Sequence, residues 1–189
     1  MQEERRMSAV VVALAGRRVD AEDTGPPRFP SADVALVRRR LTKLFIAENA
    51  TALVCSAACG ADLVALEEAQ RLGIRRRIVL PFPPERFRET SVIDRPGDWG
   101  PLFDRLVAAA KAAGNDLVVL DSGDGDSAYA AANEAIVQEA QALAHAGAAR
   151  RLVAVVVWEG AARSGSDATE GFRASAAKAG FEERCVRTL

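Results

Sequence analysis

Residues 52–72 read ALVCSAACGADLVALEEAQRL. The run Ala52-Leu53-Val54-Cys55 is apolar and long enough for a buried strand. Five small residues follow, Ser56-Ala57-Ala58-Cys59-Gly60. Then Leu63, Leu66, Ala69 and Leu72 recur at helical spacing, and Gly73 supplies a stop. Strand, small turn and helix N-terminus make a geometry suited to anions. Free backbone N–H groups and the helix dipole point at the turn, and small side chains admit a phosphate. The plainer alternative is a tight strand-to-helix turn whose residues are small for packing.

The same alternation extends in both directions. Upstream, Ala9–Leu14 (AVVVAL) reads as a strand apolar on both faces, as in a parallel sheet. A loop over Ala21–Pro30 carries three prolines, and Ser31 can cap a helix with Val34, Val37, Leu41, Leu44 and Phe45 inward. The other face of that helix bears Arg38, Arg39, Arg40 and Lys43, a solvated face or a basic patch.

Downstream, Ile78–Leu80 is a third strand, preceded by Arg75-Arg76-Arg77 facing solvent. Residues Pro84–Gly97 form an irregular connection with one helical turn near Glu85–Phe87. Trp99, Leu102, Phe103, Leu106, Val107 and Ala110 form the core stripe of a helix. Leu117–Leu120 is a fourth strand. In the acidic loop after it, DSGDGD, Asp126 can cap a helix bearing Tyr129, Ala132, Ile136, Ala140 and Leu143. Leu152–Trp158 is a fifth strand, a helix spans Asp167–Ala179, and Arg184–Thr188 is a last edge strand.

Strands alternating with helices predict an α/β fold: an open, mostly parallel, Rossmann-like sheet with helices on both faces. One domain is expected over residues 8–189, after a short tail at 1–7. In such a sheet a ligand sits beyond the carboxyl ends of the strands. Three loops should meet there: Gly16–Asp20, Ser56–Asp62 and Glu159–Thr169.

The chain has 189 residues, a net charge of −1 and three cysteines. The near-neutral charge gives no electrostatic case for nucleic acid or a membrane surface. An odd, sparse cysteine set fits reduced cytosolic thiols better than a disulfide framework. No apolar run approaches the ~20 residues that span a bilayer. Arg5-Arg6 ahead of Ser8–Ala15, with Ala13-Leu14-Ala15 resembling a cleavage site, could pass for a signal peptide. Glu3 and Glu4 argue against that, and cleavage would remove the first core strand. The expected location is the cytoplasm.

The turn after the first strand lacks G-x-G-x-x-G, and no Walker A, G-x-S-x-G or H-E-x-x-H motif occurs. No metal set or cofactor is expected. What remains is a crevice of glycines and small residues with Arg17, Arg18, Asp20, Ser56, Asp62 and Thr169 around it. Arginine and backbone N–H groups suit phosphate, and Asp20 or Asp62 suits ribose hydroxyls or a base amine.

Five motifs in order resemble the SLOG superfamily, Rossmann-like domains related to the Lonely Guy and DNA-processing-protein-A proteins. Gly16-Arg17-Arg18-Val19-Asp20 is similar to Gly-His-x-x-Asp after strand 1 of bacterial members. Ser56-Ala57-Ala58-Cys59-Gly60-Ala61-Asp62 is similar to their small-Ala-Cys-Gly-Ala-Asp turn. The others are Leu80-Pro81-Phe82 with Glu85, Phe87, Ser91, Val92 and Trp99; Tyr129 with Asn133; and Trp158-Glu159-Gly160 with Gly165, Asp167, Ala168 and Thr169. The resemblance covers Val10 to Gly180. It implies a nucleotide or nucleotide derivative bound in the crevice, sensed or processed, often in bacterial conflict signalling. The implied ligand-binding residues are Gly16, Arg17, Arg18, Asp20, Ser56, Ala58, Cys59, Gly60, Asp62, Gly160, Asp167 and Thr169. Arg17 departs from the relatives' His, and a guanidinium there would favour an anionic ligand.

Three functions compete. The first is a nucleotide-binding or sensing module without chemistry. The second is a nucleotide N-glycosidase like the Lonely Guy phosphoribohydrolases, which need a glutamate three residues after a threonine. Aligning Thr169 to that threonine puts Phe172 at the glutamate, leaving Asp62 or Glu159 as substitutes. The third makes Cys59 a reactive thiol at a helix N-terminus. The expected partner is a nucleotide-like small molecule, and sheet edges leave room for a homodimer that no residue specifies.

Overall fold

The computed structural model describes residues 8–147, 149 and 151–189. The expected 1–7 tail, with Glu3 to Arg6, lies outside them. The strands are β1 (Val10–Gly16), β2 (Ala50–Cys55), β3 (Arg75–Leu80), β4 (Leu117–Val119), β5 (Arg151–Trp158) and β6 (Glu182–Arg187). Between them run α1 (Val34–Ala47), α2 (Ala61–Arg71), α3 (Pro84–Ser91), α4 (Gly100–Ala112), α5 (Gly125–Ala146) and α6 (Ala168–Lys178).

All described strand pairs are parallel, in the order β4-β3-β2-β1-β5-β6. The chain steps outward from β1 to β4, then crosses back through α5 to place β5 on the other side of β1. This is the open Rossmann-like α/β sheet that the alternation of strands and helices predicts. Each central strand alternates its burial between two cores. Val10, Val12 and Leu14 pack under the helices α1 to α4, with Leu41, Leu66 and Phe103. Val11 and Ala13 pack under α5 and α6, with Ile136 and Phe172. Both faces are covered, so the strands read as continuous apolar runs.

The strand order reverses between β1 and β5, which pair in register from Val10↔Arg151 to Gly16↔Val157. A ligand crevice is expected beyond the carboxyl end of that pair. Gly16 ends β1 where α2 crosses it. A Cβ there would stand 2.5 Å from Ala61 Cβ and 2.6 Å from Val157 Cβ, so only glycine fits.

Several expectations are corrected. β3 starts at Arg75, and its arginines do not simply face solvent. Arg77 is sealed against Asp116 and Glu139 at 3.3 and 2.6 Å, and Arg75 bonds Asp116 at 2.8 Å. Residues Pro84–Ser91 form two helical turns rather than one, started by Pro84 in the first turn. The Ser31 and Asp126 side chains make no cap bonds. Ser31 opens a short 3₁₀ turn, and Asp126 sits inside the first turn of α5. Two cations of the basic run on α1 are engaged within the chain: Arg38 bonds Glu67 and Glu68 at 2.7 Å, and Arg40 donates to the backbone oxygens of Arg187 and Leu189. Among the described residues no helix is long and apolar enough to cross a membrane.

Candidate functional site

A cleft of about 500 Å3 opens at the carboxyl end of β1. Its floor is the end of β1 from Leu14 to Arg18, with Ser56, Ala58 and Asp62 from the turn into α2. The loop before α6 and its first turn supply the second wall, with Arg163, Asp167 and Thr169. The third wall is one stripe of α5: Asp126, Tyr129, Ala130, Asn133 and Glu134. Those positions fall at i, i+3, i+4, i+7 and i+8, one helical face. Tyr129 and Asn133 are fixed there. The Tyr129 hydroxyl meets Ser91 Oγ at 3.0 Å, and Asn133 Nδ2 donates to the Ala168 carbonyl at 2.8 Å.

The twelve residues expected at the ligand divide into three groups. Gly16, Arg18, Ser56, Ala58, Asp62, Asp167 and Thr169 line the cleft. Arg17 lines it too, but its guanidinium is spent. It is 2% exposed, bonds Glu159 at 2.7 Å and Asp167 at 2.7 Å, and donates to the Ala161 carbonyl at 2.8 Å. It also lies over the Trp158 ring, 5.7 Å from the centroid. Asp20, Cys59, Gly60 and Gly160 are not among the lining residues. Asp20 Oδ2 accepts the amides of Arg28 and Phe29 at 2.9 Å, folding the proline-rich loop over Phe29. Gly160 packs against the Arg187 guanidinium. Gly60 has φ +96°, and a Cβ would stand 2.7 Å from the Val19 amide nitrogen.

The small turn does not offer a row of open amides. Ala58 N–H donates to Asp62 Oδ2 at 3.2 Å, Cys59 N–H to the Ser91 carbonyl at 3.0 Å, and Ala61 N–H to the Arg17 carbonyl at 3.1 Å. Three of the four amides of Ala58–Ala61 thus already serve the chain, which leaves no row for a phosphate. Cys59 is fully buried, and burial pushes its thiol up to about 12. Such a thiol is a packing group rather than a nucleophile.

Charge in the cleft is unevenly paired. Burial works against ionised Asp167. Bonds from Arg17 and from the amides of Arg163 and Glu170 outweigh it and hold the carboxyl at about 2. Asp167 thereby caps α6 as an anion. Asp62 is the opposite case. It is 7% exposed, and burial lifts its carboxyl to about 7 against the pull of the Ala58 amide and Arg18. Among the described residues its Oδ1 has no partner, and neither has the buried Ser56 Oγ.

Two cations remain. Arg18 gives only Nη1 to Asp94 and the Thr90 carbonyl. The Arg163 side chain has no partner among the described residues. Desolvation first, then the charges of Arg17 and Arg28, lower its pKa, while Asp167 and Glu159 pull the other way. A guanidinium stays charged in a protein and is a donor fork for an anion.

Arg163 and Glu134 escaped sequence reasoning. The α5 stripe was the available signal for Glu134, since polar residues interrupt the helix's apolar side at helical spacing. Phe172, where a phosphoribohydrolase glutamate would align, is fully buried against the sheet. Glu170 is engaged by Arg173 at 2.8 Å. Among the described residues no three His, Cys, Asp or Glu side chains gather as a metal set. The sequence matches no protein-family model and no curated protein.

Proposed function

We propose that this chain is a SLOG-like domain that binds a nucleotide or nucleotide derivative in the cleft and acts as a sensor. The observation that carries this reading is Arg163, an exposed guanidinium without a partner among the described residues, on a cleft at the point where the strand order reverses. Arg18 can add its free nitrogens, so phosphate belongs at this cationic side. The stripe on α5 presents hydroxyl, amide and carboxylate groups, which suit ribose and base donors. The volume lies within the ~300–1,000 Å3 range of small-molecule sites.

The test is a thermal-shift panel of mononucleotides, cyclic nucleotides and dinucleotide derivatives on the full chain. A true ligand at ~100 times its Kd raises stability by ~2.7 kcal/mol. Arg163→Ala should weaken that ligand, with a loss that shrinks as salt rises. A panel without any shift overturns the reading.

One observation favours N-glycosidase chemistry as a second reading. Asp62 and Glu134 are two carboxyl groups on one cleft, and Asp62 is tuned toward neutral pH as a general acid needs. Incubation with AMP, GMP, CMP and UMP, followed by chromatography for free base and ribose 5-phosphate, decides between them. Turnover near ~1 s⁻¹, ordinary for an enzyme, would replace the sensor reading.

A further inference from the structure

Two buried oxygens in the cleft wall lack partners among the described residues, Ser56 Oγ and Asp62 Oδ1. They sit on either side of the turn between β2 and α2, six residues apart in the chain. Buried polar atoms are almost always paired, so each such exception calls for an explanation. The other Asp62 oxygen accepts the Ala58 amide, which fixes the carboxyl plane and leaves Oδ1 as the open position. Asp126 and Glu134 line the same cleft but are exposed, so water already satisfies them.

We infer that Ser56 and Asp62 form a subsite for the vicinal diol of a ribose, the sugar of the nucleotide proposed above. The chemistry distinguishes a diol from a base amine. A hydroxyl both donates and accepts, and so does Ser56 Oγ. Asp62 accepts when ionised and donates when protonated, and near neutral pH it occupies both states. Two adjacent hydroxyls can satisfy both oxygens in either state. An exocyclic amine only donates, so it would leave the Ser56 hydroxyl proton without an acceptor. Asp20, the other acid considered for ribose, is bound to two amides of its own loop and does not line the cleft.

The inference rests on the nucleotide reading, and one titration series separates the two. The mononucleotides, cyclic nucleotides and dinucleotide derivatives of the panel above, with ribose 5-phosphate, are titrated calorimetrically into the full chain, beside their 2′-deoxy counterparts. The ribo form of whichever probe binds should bind ~10-fold or more tightly than the deoxy form, as expected for hydrogen bonds to a charged group. Ser56→Ala and Asp62→Asn should each shrink that ratio by weakening the ribo form more than the deoxy form, which keeps only its 3′-hydroxyl for the subsite. Thermal melts confirm that both variants are folded. Equal ribo and deoxy binding, or a ratio that neither variant changes, overturns the diol subsite and leaves the nucleotide reading intact. Absence of binding by every probe overturns both.

Discussion

The Arg17 guanidinium donates to Asp167 Oδ1 at 2.7 Å, across 150 residues of chain. The end of β1 is thereby tied to the residue that caps α6. The Arg17 backbone carbonyl also accepts from Ala61 N–H, so one residue holds both sides of the cleft floor.

Removing this tie should cost stability before it affects ligand. Arg17→Met leaves Asp167 and Glu159 buried without their main cation, and breaking a buried ion pair costs about 3–5 kcal/mol. We expect the lower end, because Arg28 still reaches Glu159 at 2.9 Å. Arg17→Lys should recover only part, since one ammonium cannot reproduce a fork serving three acceptors. Urea unfolding measures both, and a Lys variant as stable as the parent would refute the fork's importance.

Stability should decline as pH rises from about 4 to about 7. Asp62 binds its proton more tightly in the folded chain, where its carboxyl is lifted from 3.8 to about 7. Between those values the folded state holds more protons, so the contribution is full below the lower value and gone above the upper. The slope is on the order of 1.4 kcal/mol per pH unit. Asp167 behaves oppositely. Its lowered carboxyl stabilises the fold above about 4 and loses that contribution as pH falls toward about 2. Asp62→Asn should flatten the upper window alone. Parallel curves for parent and variant between pH 4.5 and 7.5 would rule out a desolvated Asp62.

Ser56→Ala should fold at least as stably as the parent in the absence of ligand. It deletes a buried hydroxyl that bonds nothing, and an unsatisfied group costs about 1–3 kcal/mol. A variant less stable by more than ~1 kcal/mol in chemical denaturation would mean that the hydroxyl has an internal partner.

Gly60→Ala should destabilise by more than the ~1 kcal/mol of a compatible glycine exchange. The residue has φ +96°, and the new Cβ would press on the Val19 amide and on the Arg17 carbonyl at 2.9 Å. Differential scanning calorimetry reads the loss. An unchanged Tm would show that the β1 loop can retreat.

The fold was legible because both sheet faces are buried. Apolar runs such as Val10–Leu14 and Val153–Val157 then mark strands without ambiguity, and the helices between them fix parallel order. The cleft's location followed from topology. What its residues do was less legible. Arg17 looked free because its partners lie 142 and 150 residues away. Arg75 and Arg77 looked solvated for a similar reason, their acids being Asp116 and Glu139. The turn at Ala58–Ala61 looked like a row of donors, because sequence shows amides but not the carbonyls that take them. Arg163 has no local signature at all. Its place in the cleft depends on where the loop after β5 travels.

The pairing of Val10 with Arg151 also governs how the molecule is made. β1 is the middle of the sheet, yet its second neighbour is only the fifth of the described strands in chain order. Until then one edge of β1 is open, and the part of the second face that α6 later covers has no lid. Contacts of such sequence separation slow folding and prolong exposure of unpaired edges. The half-made chain is therefore the form most in need of a chaperone, and truncation ahead of β5 should yield aggregate rather than a smaller domain.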